Sequence, residues 1–363
     1  LMERNHNPDN CNVLNFFFAD KKNKRRNFGQ IVSDVGRICY SVSLSLGEPT
    51  TMGRNNLTRP SEFILLGLSS RPEDQKPLFA VFLPIYLITV IGNLLIILAI
   101  RSDTRLQTPM YFFLSILSFV DICYVTVIIP KMLVNFLSET KTISYSECLT
   151  QMYFFLAFGN TDSYLLAAMA IDRYVAICNP FHYITIMSHR CCVLLLVLSF
   201  CIPHFHSLLH ILLTNQLIFC ASNVIHHFFC DISPVLKLAS QHSGFSQLVI
   251  FMLGVFALVI PLLLILVSYI RIISAILKIP SSVGRYKTFS TCASHITVVI
   301  LFFGPAIFLY MRPSSTFTED KLVAVFYTVI TPMLNPIIYT LRNAEVKIAI
   351  RRLWSKKENP GRE

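Results

Sequence analysis

The segment from Gln151 to Cys178 constrains most strongly what this chain can fold into. Its 28 residues are apolar enough to cross a bilayer, yet they include Asp162 near the middle and the pair Asp172–Arg173 near the end. Eleven helical residues make about three turns, so Asp162 and Arg173 should lie about 16 Å apart on the same side. Ionisable groups in a membrane helix are costly unless they face other helices or water. We therefore predict a helix with one lipid-facing side and one functional side. The alternative is a buried ion pair that only fixes helix packing.

The composition extends this interpretation to the whole chain of 363 residues. It is 54% hydrophobic and only 14% charged, whereas soluble proteins carry about a quarter charged residues. The ten-residue alternating pattern of barrel strands does not occur. We predict an all-α membrane protein, a seven-transmembrane helix bundle whose spans one to seven, each about 20 residues or longer, cover residues 78–100, 110–133, 151–177, 191–213, 247–273, 289–311 and 321–341.

The distribution of Lys and Arg predicts the orientation. Cytoplasmic loops carry an excess of these residues, and the segments that follow spans one, three, five and seven hold most of them. This indicates a multi-pass plasma-membrane protein with an extracellular N-terminus. The net charge of +11 follows mainly from this asymmetry, so it favours contact with membrane lipid and not with nucleic acid.

Four regions follow along the chain. Residues 1–51 form a basic, Asn-rich N-terminal extension that we expect to be disordered, with no signal peptide; Met52 is a plausible start. Residues 52–77 should be an extracellular N-terminus that carries a glycosylation sequon at Asn56. Residues 78–342 form the seven-transmembrane domain, and 343–363 the cytoplasmic tail. Within the tail, 343–354 predicts a short amphipathic helix on the inner leaflet, with Val346, Ile348, Ile350 and Leu353 on its apolar face.

Two acids are predicted to lie deep in the bundle. Asp121 in span two and Asp162 in span three are the only carboxylates far inside a span. Two such groups must share a proton or a cation such as sodium; the alternative is two separately hydrogen-bonded acids without an ion. We expect Asp121 to reach Asn93 and Asn335. Pro336 breaks the helix ladder after Asn335, which should free both Asn335 and Tyr339 for interhelical hydrogen bonds.

The extracellular cysteines predict a disulfide. Cys148 lies at the outer end of span three, and the loop 214–246 contains Cys220 and Cys230. Such cysteines pair in an oxidising compartment, and we choose Cys230 as the partner of Cys148.

Five motifs resemble a known family. MAIDRYVAIC (169–178) and NPIIY (335–339) are similar to the rhodopsin-like G-protein-coupled receptors. The more specific set of five is MAIDRYVAIC with TPMYFFLSILSFVDIC (108–123), Ser268-Tyr269, KTFSTCASH (287–295) and PMLNPIIYTLRN (332–343), which contains NPIIY; these resemble the olfactory receptors of the tetrapod-type class. The resemblance runs from about Met52 to Arg352 and leaves residues 1–51 uncovered.

The resemblance implies an odorant receptor, not an enzyme, that activates a heterotrimeric stimulatory olfactory G protein and so raises cyclic AMP. The implied ligand is a small, mostly apolar volatile, bound near the outer third of spans three, five and six; each lining residue could equally be plain bundle core. The implied lining residues are Phe155, Leu156, Gly159, Asn160, Leu253, Gly254, Ala257, Phe303, Ala306, Ile307 and Tyr310. The implied coupling and switch residues are Asp172, Arg173, Tyr174, Tyr269, Asn335, Pro336 and Tyr339.

The chain departs from the family pattern at several positions. Ile171 and Phe303 each replace a tyrosine, and Ser240 stands near the position of the family's third loop cysteine, which leaves Cys220 without its usual partner. No Asp or Glu occurs between Asp231 and Glu319, so span six offers no acid to hold Arg173. We expect Arg173 to pair with Asp172 or with polar groups such as Tyr269, and the receptor to show basal activity.

Other functions are weaker interpretations. A receptor of the same fold could bind a non-odorant molecule, or bind its ligand with the help of a metal at His204, His206, His210, His226 or His227. Phe155 occupies the position where an amine receptor would place an acid, which disfavours a cationic amine. A transporter would be expected to show internal repeats, and the sequence contains none. Apart from a sodium ion, no cofactor is expected.

Overall fold

The structure is a computed structural model that describes residues 60–217, 219, 222–239, 244–310 and 317–358. The predictions for residues 1–51, Asn56, Cys220 and Ser240 lie outside these described residues.

The predicted bundle of seven helices is confirmed. Most helices extend past the predicted apolar segments, because their polar first and last turns lie outside the apolar stretch. Span one, for example, begins at Pro72 and places Glu73 and Asp74 in its first turn, where the helix dipole favours acids. The helices are Pro72–Ser102, Pro109–Leu137, Tyr145–Cys178, His189–Asn215, Gly244–Leu277 and Ser282–Tyr310, with span seven built from Phe317–Val325, a π-helical turn Phe326–Ile330 and Thr331–Arg342.

Local sequence explains where the central spans begin. Span two starts at Pro109, one residue before the predicted 110–133, because a first-turn proline loses no helical hydrogen bond. Span three begins with a capping box in which Ser144 and Glu147 satisfy each other's backbone N–H groups. Spans two and three form the centre of the bundle: 72% of the apolar window of each is buried, against 22% in spans one and five.

A three-stranded sheet lies at one end of the bundle and was not predicted. β1 (Glu62–Leu65) pairs antiparallel with β2 (Thr142–Ser144) and parallel with β3 (Val224–Ile225). The segment before span one is thus joined to the loops before spans three and five. Strands this short show too few residues for a period-two pattern, and their partners lie far away in the chain. We call this the sheet end of the bundle, and the opposite end the Arg173 end.

The tail helix Ala344–Glu358 is longer than the predicted segment 343–354. Val346 is fully buried, and Ile350 and Leu353 are partly buried against the main hydrophobic core. Ile348 is 41% exposed, so its placement on the same apolar face was wrong. At 100° per residue, position 348 lies about 160° from position 350 and points away from the bundle.

Candidate functional site

Arg173 forms a local ion pair, as expected. Its Nη2 lies 3.3 Å from Oδ2 of Asp172, and the Tyr183 hydroxyl donates to Oδ1 of Asp172 at 2.7 Å. Asp172 is fully buried. The Arg173 Nε is buried and has no hydrogen-bond partner among the described residues. Tyr174 lies partly buried against the main core. Arg173 is therefore held from within its own helix.

A second contact joins spans three, five and six near Arg173. The Tyr269 hydroxyl lies 2.8 Å from Nδ1 of His295, and Nε2 of His295 lies 3.0 Å from the backbone oxygen of Leu166. A carbonyl only accepts, so Nε2 carries the proton and Nδ1 accepts from Tyr269. Tyr269 thus bonds to His295 and not to Arg173. Sequence analysis gave His295 no role, although a histidine within an apolar span signals a buried polar partner.

Polar groups meet in the middle of the bundle. Asp121 and Asp162 are 2% and 3% exposed, and Nδ2 of Asn335 donates to Oδ2 of Asp121 at 2.9 Å. Asn93 does not reach Asp121; its Nδ2 donates instead to the backbone oxygen of Pro332 at 3.2 Å. One side-chain oxygen each of Asp162, Asn93 and Asn335 has no partner among the described residues. The unpaired atoms here are all oxygens, which a cation or a shared proton could satisfy.

Spans one and seven approach each other closely at the helix break. A Cβ at Gly92 would lie 3.0 Å from Cγ of Pro336, so only glycine fits there without a shift. The hydroxyl of Tyr339 is buried and has no partner among the described residues. Of the two groups expected to bond between helices, Asn335 does so and Tyr339 does not.

The implied ligand-site residues do not all face one cavity. Phe155 is buried and packs on Tyr124 and Phe229, with ring centroids 5.5 and 4.8 Å apart. A Cβ at Gly159 would lie 3.2 Å from Cε2 of Tyr124, so this glycine permits close packing against span two. Gly254 is exposed with no atom near it. This exposed position, which packs on no other helix, gives its assignment to the ligand site no support.

The other implied residues lie inside the bundle. Asn160 faces span four, where its Nδ2 is 3.4 Å from Nδ1 of His206, and His206 also contacts the backbone oxygen of Leu253 at 3.1 Å. Tyr310 faces span seven. The remaining residues are buried or partly buried, namely Leu156, Ala257, Phe303, Ala306 and Ile307.

The loop between spans four and five enters the sheet end of the bundle. Phe228 and Phe229 are 1% and 0% exposed. The adjacent Cys230 forms a disulfide with Cys148, the pair chosen from the sequence. Gln151 anchors the loop at Cys230. Its Oε1 accepts from the Cys230 N–H at 2.9 Å, and its Nε2 donates to the backbone oxygen of Val127 at 3.0 Å.

Asp231 connects this loop to spans six and seven. The Tyr310 hydroxyl lies 3.1 and 3.2 Å from the two carboxylate oxygens of Asp231 and 2.8 Å from the hydroxyl of Tyr327. The backbone N–H of Ile232 donates to Oδ1 of Asp231 at 2.7 Å. Burial raises the pKa of Asp231 to about 6. Sequence analysis missed this acid because it lies in a loop and not on a span.

A small, partly open cavity lies beside Asp231, between the loop and the ends of spans six and seven. His227 and Ser233 line it, with Lys237 and Asp320 3.9 Å apart in its wall. His227 is 3% exposed, and its Nδ1 has no partner among the described residues. Burial, with the charges of Lys321 and Lys237, lowers the pKa of His227 to about 3.

The described residues contain no group of three His, Cys, Asp or Glu side chains that could hold a metal ion. In span four, ring nitrogens of His204, His206 and His210 lie 2.9–3.2 Å from backbone oxygens. These contacts identify them as helix-packing residues, so this geometry gives no support to metal-assisted ligand binding.

Comparison with known proteins agrees with this architecture. A family model described as olfactory receptor matches residues 82–357. Human Olfactory receptor 1L1 is 80% identical over 98% of this chain and 99% of its own length, an alignment that extends into residues 1–51. Human Olfactory receptors 1L3 and 1L8 are 63% and 58% identical, each over 84% of this chain and 94% and 98% of their own lengths. The chain therefore belongs to the olfactory receptor family and is a multi-pass plasma-membrane odorant receptor, not an enzyme.

Proposed function

We propose that this receptor binds a small, mostly apolar volatile in the bundle and then activates a heterotrimeric stimulatory G protein, which raises cyclic AMP. The sheet end, with its disulfide and the N-terminus, faces the exterior, and the Arg173 end faces the cytoplasm. The observation that carries the proposal is the combination of family membership with an Arg173 that, among the described residues, pairs only with an acid of its own helix.

The contacts at the Arg173 end make switching easy. Among the described residues, Arg173 has an ion pair with its neighbour Asp172 and with no acid on another span. The bonds of His295 to Tyr269 and Leu166, with a weak contact from Cys178 Sγ to the backbone oxygen of Arg271 at 3.8 Å, join spans three, five and six beside it. Each such hydrogen bond contributes about 1 kcal/mol. The inactive state should therefore lie only about 2–3 kcal/mol below the active one, which supports basal activity.

An exposed apolar surface beside Arg173 suits a protein partner. Phe181 is 97% exposed and Ile184 87% exposed, in the short segment after span three that also carries Tyr183. Large apolar side chains exposed at the aqueous end of a bundle mark interaction sites. We assign this surface to the α subunit of the G protein, which would contact Phe181 while Arg173 extends toward it.

The acids in mid-bundle suit a sodium ion or a shared proton. The unpaired oxygens beside Asp121 and Asp162 supply the acceptors that either would need. Such an ion would stabilise the inactive packing, because contraction of the bundle would expel it. Basal cyclic AMP measured in sodium and in a large organic cation tests this point. Equal basal signal in both media would favour the shared proton.

The experiment for coupling is a cyclic AMP assay in cells that express the full chain, screened against a panel of volatiles. Arg173→Ala should abolish the ligand response at unchanged surface expression, because the guanidinium is required at the G-protein interface. Arg190→Ala is the matched control, since it removes the same charge at an exposed position of the same end. A normal response from Arg173→Ala at matched surface expression would refute the assignment of Arg173.

A further inference from the structure

The cluster of Asp231, Tyr310 and Tyr327 can offer hydrogen-bond acceptors, but no donors, to an incoming molecule. Each tyrosine hydroxyl has one proton to donate. Tyr310 is in contact with the carboxylate of Asp231, and Tyr327 is in contact with the oxygen of Tyr310. When Tyr310 donates to Asp231 and Tyr327 donates to Tyr310, both protons are used within the cluster. What remains toward an incoming molecule are acceptor lone pairs, above all on Oδ2 of Asp231.

The cavity beside this cluster adds a further group without a partner. His227 lines the same cavity as Asp231, is 3% exposed, and leaves Nδ1 unbonded among the described residues. A buried polar atom without a partner costs about 1–3 kcal/mol, so a bound group that satisfies it is favoured. The imidazole is neutral at physiological pH, because its pKa is lowered to about 3. It therefore does not repel a neutral ligand.

The charges around the cavity nearly balance, because the carboxylates of Asp231 and Asp320 lie near the ammonium groups of Lys237 and Lys321, so a cation gains no net advantage over a neutral ligand. Lys237 is 3.9 Å from Asp320 in the cavity wall, and Lys321 is close enough to affect the titration of His227. These ammonium groups oppose a second positive charge at short range. Pro234 and Leu309 line the cavity and offer an apolar surface to a hydrocarbon tail.

We propose that the cavity beside Asp231 and His227 binds the hydroxyl group of an alcohol odorant, which donates its hydrogen bond to the Asp231 carboxylate. This inference deepens the proposed function and rests on the assignment of the ligand as a small volatile. It predicts a preference for alcohols over aldehydes and ethers of equal size, because the latter two can only accept hydrogen bonds. The preference should be about tenfold in half-maximal concentration, the factor that one charge-assisted hydrogen bond supplies.

The test uses the purified full chain without G protein, so that it does not depend on coupling. Thermal unfolding midpoints are measured against concentration for octan-1-ol, octanal, 1-methoxyheptane and octylamine. We expect octan-1-ol to stabilise the receptor at about tenfold lower concentration than octanal or the ether. An absent stabilisation by octan-1-ol, or an equal one by the ether, would overturn the proposal. Stronger stabilisation by octylamine would replace the hydroxyl site with a cation site.

Two variants locate the effect. Asp231→Asn keeps the shape but introduces an amide donor, so the preference for the alcohol should disappear or turn toward the aldehyde and ether. His227→Phe keeps the ring packing on Phe228, whose centroid lies 4.6 Å away, and removes Nδ1; it should weaken alcohol binding several-fold even if Asp231→Asn fails to fold. Asp74→Asn makes the same charge change outside the cavity and should keep the preference. An unchanged preference in both cavity variants would refute the site.

The experiments distinguish a failure of the proposed coupling from a failure of the proposed alcohol site. A receptor that is stabilised by alcohols but raises no cyclic AMP retains this site and loses the proposed coupling. A receptor that signals to volatiles without distinguishing alcohols from ethers retains the coupling and loses this site.

Discussion

The two ends of the bundle are held together by different kinds of contact. At the sheet end, a disulfide, a three-stranded sheet and the bonds of Gln151 and Asp231 fix the loop that enters the bundle. At the Arg173 end, the partly buried Arg173 pairs with the adjacent, buried Asp172, and His295 bridges the neighbouring spans. We expect the first arrangement to keep the proposed ligand site in shape and the second to let the helices separate. Rigid contacts are thus placed at one end and breakable contacts at the other.

The largest effect should come from breaking the covalent link at the sheet end. The Cys148–Cys230 disulfide closes a loop with a sequence separation of 82. Its loss should cost about 2–5 kcal/mol and prevent surface delivery. Surface staining of Cys148→Ser and Cys230→Ser measures this effect. Cys201→Ser, at an exposed free cysteine, is the matched control and should reach the surface. Normal surface staining of either disulfide variant would contradict the rigid role of this end.

Removing the side-chain anchor of the same loop should have the next largest effect. Gln151→Leu retains the volume but leaves the Cys230 N–H and the Val127 carbonyl without their side-chain partner. The cost should be about 2–3 kcal/mol, because buried groups lose their partners. The thermal midpoint of the purified receptor measures it. Gln216→Leu changes an exposed glutamine and should leave that midpoint within error. Equal midpoints for the two variants would mean that Gln151 does not anchor the loop.

At the Arg173 end, the corresponding change should affect signalling more than stability. His295→Phe removes the bonds to Tyr269 and Leu166, worth about 2 kcal/mol together, and should raise basal cyclic AMP. Tyr269→Phe removes one of these bonds and should raise it less. Basal cyclic AMP normalised to surface expression is the measurement. A decrease in both variants would show that the His295 contact belongs to the active state.

The sequence predicts the structural features that long, regular patterns encode, which here are the membrane-spanning helices. Each span is a long apolar run, so the number of helices and their approximate bounds follow from composition alone. Rotation of a span is harder to predict, because Gly254 and Ala257 differ by less than one turn and yet only Ala257 is buried. Contacts distant in sequence are the least predictable, since Tyr310 and Asp231 are 79 residues apart. The three strands could not be predicted for the same reason, because their pairing is set by the folded bundle.

The smallest expected effect is a pH dependence at the sheet end. The folded receptor holds the proton of Asp231 up to a pKa of about 6, because burial disfavours the carboxylate, whereas the ordinary value is 3.8. As the pH falls through 6, the carboxyl gains a proton, so it loses its negative charge and can also donate a hydrogen bond. The groups around it do not titrate with it: Tyr310 and Tyr327 remain neutral, and the pKa of His227 is near 3.

Asp320 and Lys237, 3.9 Å apart, also face the cavity. The preference for octan-1-ol over 1-methoxyheptane should therefore fall by about twofold between pH 7.5 and pH 6, where half of the carboxyl groups are protonated. It should continue to fall toward pH 5, while the residual preference of Asp231→Asn stays constant. The measurement is the ratio of the two half-maximal concentrations at each pH, with midpoints referred to the ligand-free receptor at that pH. A ratio that stays constant from pH 7.5 to 5 would show that Asp231 does not bind the hydroxyl group.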